Sequence, residues 1–249
     1  MQLLAFDTST ERMSIAVSRT VDGQTRTWDY SGPGGAQASV ALLPEILKLM
    51  AQAGLDFAAL DAICFGCGPG AFTGLRTACA VAQGLGFGAQ GGPAGKEIPV
   101  LPVDTLMLLA EEARHQTGAG AGTRVLSMLD ARMNEIYSAA YTYDGMRWLR
   151  LQDFRLSTAA QLSLPPAWCG TAPLLAGNVF GNFAGQWTLP AGLQQVEVLP
   201  TACALLRLAP PLLADGKAVE PALAMPVYIR DKVAQTTSER AAIKAAAGA

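Results

Sequence analysis

Two aspartates stand at matching places in this chain. Asp7 closes the apolar run Gln2-Leu3-Leu4-Ala5-Phe6, and Asp130 closes Val125-Leu126-Ser127-Met128-Leu129. Both are followed by a small polar turn and then an alternating segment. Two carboxylates facing one gap could hold a magnesium ion, which takes few protein carboxylates and keeps several waters. The simpler reading, favoured where no further acidic or basic partner is in view, is that each Asp ties down its own turn by side-chain hydrogen bonds. A third group is Gly66-Cys67-Gly68-Pro69-Gly70-Ala71-Phe72-Thr73-Gly74-Leu75-Arg76. Its glycines allow positive φ and close backbone approach, Pro69 stiffens the turn, and Thr73 could cap a following helix. Free N–H groups at a helix start suit an anion. No Gly-Lys-Ser/Thr follows, so this is not a Walker A loop, and Gly95-Lys96-Glu97 fails the same pattern. The loop's own chemistry favours a tight structural turn over a phosphate cradle.

Other chemistry is scarce. The single histidine, His115, sits near Glu111, Glu112 and Arg114, where a solvated helix end is expected. One histidine cannot supply a His-x-x-x-His metal pair, and it gives no basis for a Ser-His-Asp or Cys-His array. Cys64-Phe-Gly-Cys67 is formally C-x-x-C, but no second pair completes a zinc set. It reads as the end of a buried strand. Five cysteines without framework spacing suit a reducing compartment.

These residues need elements to carry them. Strand, turn and strand are expected over 2–18, a strand near 26–30, a loop at 32–35 and a helix over 40–53 containing Pro44. A strand at 60–66, a helix over 75–89, a strand at 100–103 and a helix over 105–115 follow. The pattern then restarts at Val125, with Asp130 falling on Asp7. This weak internal duplication predicts two related α/β lobes, 1–103 and 104–228, with a tail 229–249 whose end carries no recognisable pattern.

Composition sets the class. Only 38 of 249 residues are charged (15 %), 51 % are hydrophobic, and net charge is −2. Disorder and self-sufficient nucleic-acid binding are both disfavoured. The uncharged run Thr77–Gly95 has the length of a membrane span, but its glutamines, Pro93 and six glycines favour a core helix. The N-terminus shows no signal-peptide pattern, so a cytoplasmic, non-membrane protein is expected. Helix 40–53 is apolar nearly all round. Leu43, Ile46, Leu47 and Met50 form one face, and Leu42 and Leu49 lie off it. Helix 75–89 is rich in Ala and Gly. Either both lie inside the chain or they present an apolar patch to a partner.

Four stretches together resemble the bacterial TsaB (YeaZ) family over nearly the whole chain. They are Leu4-Ala5-Phe6-Asp7-Thr8-Ser9, the loop Gly66 to Arg76, Asp130-Ala131-Arg132-Met133-x-Glu135-Ile136-Tyr137, and Pro226-Val227-Tyr228-Ile229-Arg230. The resemblance implies a two-lobed, actin-like (ribonuclease-H-like) α/β fold with mixed sheets flanked by helices. It implies a non-catalytic partner of the paralogue TsaD, acting with the ATPase TsaE. That complex places threonylcarbamoyl on the adenosine next to the anticodon of tRNAs reading A-starting codons, so tRNA is met through the complex. The lone histidine agrees, since TsaD carries a metal-binding histidine pair. The helices at 40–53 and 75–89 would then form the heterodimer interface through Leu42, Leu43, Leu47, Met50, Ala78 and Ala82, with homodimerisation through the same helices when TsaD is absent. Candidate positions for ATP or ADP with Mg²⁺ are Asp7, Gly68, Gly70, Thr73 and Asp130. No catalytic or resident metal site is expected. The rival reading is an ATP-dependent phosphotransferase of the actin-like superfamily using Asp7, Asp130 and the glycine loop.

Overall fold

The computed structural model describes residues 1–88, 97–168 and 170–230. The expected helix end at Ala89, Cys169 and the tail beyond Arg230 lie outside them. Two sheets have the same plan. The first is built from β1 (Gln2–Asp7), β2 (Arg12–Val21), β3 (Gln24–Pro33), β4 (Ala62–Gly68) and β5 (Val100–Asp104), in the order β3-β2-β1-β4-β5. The second is built from β6 (Arg124–Asp130), β7 (Ile136–Tyr143), β8 (Trp148–Arg150), β10 (Leu174–Gly177) and β11 (Gln195–Glu197), in the order β8-β7-β6-β10-β11. A short β9 (Arg155–Ser157) also pairs with β7. In each sheet the first strand is antiparallel to the second and parallel to the fourth member of the plan. The duplication read from Asp7 and Asp130 is therefore real: β1-turn-β2 and β6-turn-β7 occupy equivalent places.

Helices α1 (Ala38–Ala53) and α2 (Phe72–Gly88) cover the outer face of the first sheet. Gly54 ends α1 at φ 61, a left-handed position that costs an L side chain and not a glycine. The side chains of Leu42, Ile46, Leu49 and Met50 sink into a core shared with Leu4, Phe6, Ile15 and Ile63. Helices α3 (Thr105–Thr117) and α4 (Ala202–Ala214) lie between the two sheets. Asp104 caps α3 by accepting from Met107 N–H at 2.6 Å, and Thr201 caps α4 by accepting from Ala204 N–H at 3.0 Å. α3 buries Leu106, Leu108, Leu109 and Ala113, on more than one side, because it faces a sheet on each flank. One core joins Leu3, Ala16 and Leu101 of the first sheet to Val125, Tyr141 and Val196 of the second through these helices.

Two regions depart from a plain sequential reading. After the second sheet the chain returns to the first. α4 packs on β1, β2 and β4, and Val219 bridges to Val100. The outer face of the second sheet has no α-helix over it among the described residues. It is covered by the uncharged stretch 158–193, whose Leu162, Trp168, Val179 and Phe183 pack on Leu126, Met128 and Leu175. Low charge there reflects burial of irregular chain. No described helix is long and apolar enough to cross a membrane.

Candidate functional site

The two aspartates hold their own turns. Asp7 is fully buried, and its Oδ1 accepts from Ser9 N–H at 3.0 Å and from Ser9 Oγ at 2.7 Å. Its Oδ2 is sealed without a hydrogen-bond partner, and burial pushes the carboxyl up to about 6. Asp130 makes the equivalent turn, with Oδ1 accepting from Arg132 N–H at 2.7 Å and Oδ2 from Asn182 Nδ2 at 3.1 Å. Asp130 opens onto the cleft between the lobes, whereas Asp7 does not. Among the described residues no three His, Cys, Asp or Glu side chains gather as a metal site.

The glycine loop is packed against the first hairpin bend. Ala71 N–H donates to the Ser9 carbonyl at 2.7 Å, and Thr8 Oγ1 donates to the Gly74 carbonyl at 2.7 Å. A Cβ on Gly70 would lie 2.6 Å from the Ser9 carbonyl oxygen, and one on Gly74 would overlap that of Thr8. Gly68, at φ +116, faces the Val227 carbonyl of the strap 226–230, whose N–H in turn donates to Cys67 O at 2.7 Å. The close approach these glycines permit is thus used by the protein's own chain. Thr73 does not cap α2. It lies inside the helix, which starts one residue earlier at Phe72. Of Asp7, Gly68, Gly70, Thr73 and Asp130, only Gly70 and Asp130 line a common cavity.

That cavity is one chamber of an interlobe crevice. A chamber of about 170 Å³ is bounded by Ser9, Glu11, Gly70, Asp130, Arg132, Tyr137 and others. It adjoins one of about 210 Å³ bounded by Gly70–Phe72, Ala131–Met133, Tyr137 and Val227–Arg230. All four stretches that carry the family resemblance therefore line this crevice, the first through Ser9. The Phe72 and Tyr228 rings lie 5.1 Å apart, and Arg76 sits 3.9 Å over Phe72 while its Nε donates to Tyr228 OH at 3.2 Å. Arg132, Met133 and Asn134 form a left-handed turn with φ of 62, 56 and 59. Each such residue costs about 1–2 kcal/mol. Arg230 braces the turn, reaching Glu135 at 2.6 Å and the carbonyls of Ala131 and Arg132. Arg132 also crosses the cleft to Glu11 at 3.0 Å. Sequence reasoning missed Phe72, Arg76, Arg132, Tyr137, Tyr228 and Arg230 as site residues. The signal lay in the motif runs themselves, but nothing in them says that they converge.

A second surface lies on the outer side of α1 and α2, which pack side by side. Val40, Leu43 and Leu47 are 78, 44 and 50 % exposed at helical spacing. The outward stripe of α2 carries Arg76, Ala80, Gly84 and Phe87. Four expected interface residues are not on this surface. Leu42, Met50, Ala78 and Ala82 are turned inward and buried in the chain's own core, because the sheet lies beneath them. Leu43 and Leu47 are on it.

The profile of a family described as "TsaD: tRNA N6-adenosine threonylcarbamoyltransferase" matches residues 33–165. The Escherichia coli K12 protein "tRNA threonylcarbamoyladenosine biosynthesis protein TsaB" is 32 % identical, over 94 % of this chain and 96 % of that one. A Haemophilus influenzae protein of the same name is 35 % identical over 59 % of this chain and 56 % of that one. The solved structure "YeaZ from Pseudomonas aeruginosa" superposes with a TM-score of 0.79 at 33 % identity, covering 92 % of this chain and 99 % of that one.

Proposed function

The chain belongs to the TsaB (YeaZ) family, and from that premise we propose that it is the non-catalytic partner of a TsaD paralogue. Its relatives are named for tRNA threonylcarbamoyladenosine biosynthesis, and a role in that tRNA modification follows from membership. The finer reading is that it forms a heterodimer with TsaD, that the ATPase TsaE joins the pair, and that tRNA is handled by the assembly in the cytoplasm. In the absence of TsaD the same surface closes a homodimer. Any ATP or ADP with Mg²⁺ belongs to the assembled interface.

One observation carries this reading: the outer face of α1 and α2 is largely apolar and, among the described residues, bare. Leu43 and Leu47 stand beside a smooth strip of Ala80 and Gly84, so a helix pair can approach closely. Burying a leucine side chain contributes about 1.5–3 kcal/mol before the losses of association. The TsaD profile match spans both helices, so the paralogue would bring a similar pair to the contact. The lone histidine supports the division of labour, since this chain cannot furnish a histidine pair. The phosphotransferase reading finds no support in the sealed carboxyl of Asp7.

The test is a reconstitution of threonylcarbamoyl transfer to tRNA from purified TsaD, TsaE, donor and this chain. Omitting the chain should lower the rate by at least an order of magnitude. An unchanged rate would sink the proposal.

A further inference from the structure

We infer that the crevice chamber beside the strap 226–230 binds a small oxyanion, a carboxylate or phosphate group on a ligand no bulkier than an amino acid. Three independent features converge there. The first is Tyr137. Its side chain reaches into the crevice from β7, and the residue is only 7 % exposed. Its hydroxyl has no hydrogen-bond partner among the described residues, yet it is not sealed as the Asp7, Thr105 and Ser127 oxygens are. A tyrosine hydroxyl that is nearly buried and idle is an unused donor.

The second is the start of α2. The first hydrogen bond within this 17-residue helix runs from Leu75 N–H to the Ala71 carbonyl at 2.9 Å. The N–H groups of Phe72, Thr73 and Gly74 precede it and lack intrahelical acceptors. Phe72 itself lines the chamber with Gly70 and Ala71. Such a helix start attracts negative charge.

The third is the charge of the lining. Arg132 and Arg230 border this chamber, and among the described residues no Asp or Glu does. Glu135 and Glu11 pair with these arginines from outside it. The smaller chamber, by contrast, carries Glu11 and Asp130 and would repel an anion. Tyr228 OH accepts from Arg76, which leaves its own proton free to donate. The remaining walls, Met133, Val227 and Ile229, suit a short apolar tail. At about 210 Å³ the chamber is below the size of typical drug-sized pockets, about 300–1,000 Å³, which suits a small ligand. This inference stands apart from the docking face on α1 and α2 and does not depend on it.

The test uses the full chain, labelled with ¹⁵N and titrated separately with sodium acetate, sodium phosphate and, at matched ionic strength, sodium chloride. Saturable shifts of the amide signals of Phe72–Gly74 and Ala131–Met133 with acetate or phosphate, but not chloride, are expected. The tighter of the two identifies the head group. Tyr137→Phe, with an unchanged melting temperature, should weaken binding by about tenfold, the size of one hydrogen bond to a charged group. Arg132→Gln, at an exposed side chain, should weaken it as well and covers the case in which Tyr137→Phe does not fold. Absence of a saturable shift with either anion would overturn the assignment. So would unaltered binding by folded Tyr137→Phe and Arg132→Gln.

Discussion

Thr8 and Gly74 lock the first hairpin bend to the start of α2. The Thr8 hydroxyl donates to the Gly74 carbonyl at 2.7 Å, and the Thr8 carbonyl occupies the space a Gly74 side chain would need. The residues are 66 positions apart. The contact explains why a glycine-rich strand-to-helix loop stands here without a Walker lysine.

Gly74→Ala should therefore destabilise the fold by about 3 kcal/mol, because the clash is with backbone and cannot be relieved by a rotamer change. Gly84→Ala is the control. A Cβ there meets nothing within 4 Å, so the helix should gain about 0.5–1 kcal/mol. Urea denaturation of both variants measures the contrast. Equal effects would show that the close approach at Gly74 is not what fixes its identity.

The docking face separates two substitutions that look alike in sequence. Leu47→Arg lies on the bare outer stripe and should leave melting within about 2 °C of the parent, since exposed substitutions fall within about 0.5 kcal/mol. It should abolish co-purification with TsaD. Ala82→Arg forces a charge into the core beneath α2 and should leave little folded protein. A folded Leu47→Arg variant that still binds TsaD would remove α1 from the interface.

Asp7 predicts a pH dependence of definite sign. Its folded value, about 6, lies above the unfolded value of 3.8, so the fold favours the neutral acid. The stabilisation is full below about pH 4 and is lost as pH rises through 6, a change of about 3 kcal/mol. Asp104 is pushed the same way by burial and Glu111 the opposite way by its arginine partners, so the parent curve is a composite. The difference between parent and Asp7→Asn isolates the single group. Asp7→Asn should gain on the parent steadily between pH 4 and 7. A constant difference across that range would show that Asp7 does not titrate there.

The left-handed turn at 132–134 depends on its brace. Arg230→Ala removes the contacts to Glu135, Ala131 and Arg132 and should cost about 1–3 kcal/mol. Amide exchange at 131–135 should speed up more than exchange in β6 or β7. All three acceptors meet the single nitrogen Nη2, so Arg230→Lys, with three N–H donors on one nitrogen, should recover part of the loss. Uniform acceleration across the second sheet would mean that Arg230 supports the lobe and not the turn.

Much of the architecture is legible in the sequence. The hairpins and the repeat at Asp130 appear where spacing put them, and the helices expected at 40–53 and 75–89 start two and three residues earlier, at Ala38 and Phe72, because apolar alternation and turn residues are local signals while helix ends are set by packing. Helix orientation was not legible. In α1 the only charges, Glu45 and Lys48, mark one narrow flank and leave the rest apolar, so Leu42 and Leu47 read alike although one is buried and one half-exposed. Ala78 and Ala80 pose the same ambiguity in α2. The crevice was invisible for a different reason. Phe72 and Tyr228 touch across 156 positions, and no periodicity encodes a contact of that range. The irregular cover at 158–193 offered no pattern at all, since its anchors, Trp168 and Phe183, follow neither a helical nor a strand repeat.

Two-lobed proteins commonly clamp their ligands by rotating one lobe about a hinge. Here α3 and α4 fill the gap between the sheets, and one continuous core runs from Leu3 to Val196 through them. Opening the lobes would tear that core, so there is no joint to turn on. Heating should melt both sheets in one calorimetric peak. The crevice is a fixed slot, and whatever enters it, or docks beside it, has to match a shape that was settled when the chain folded.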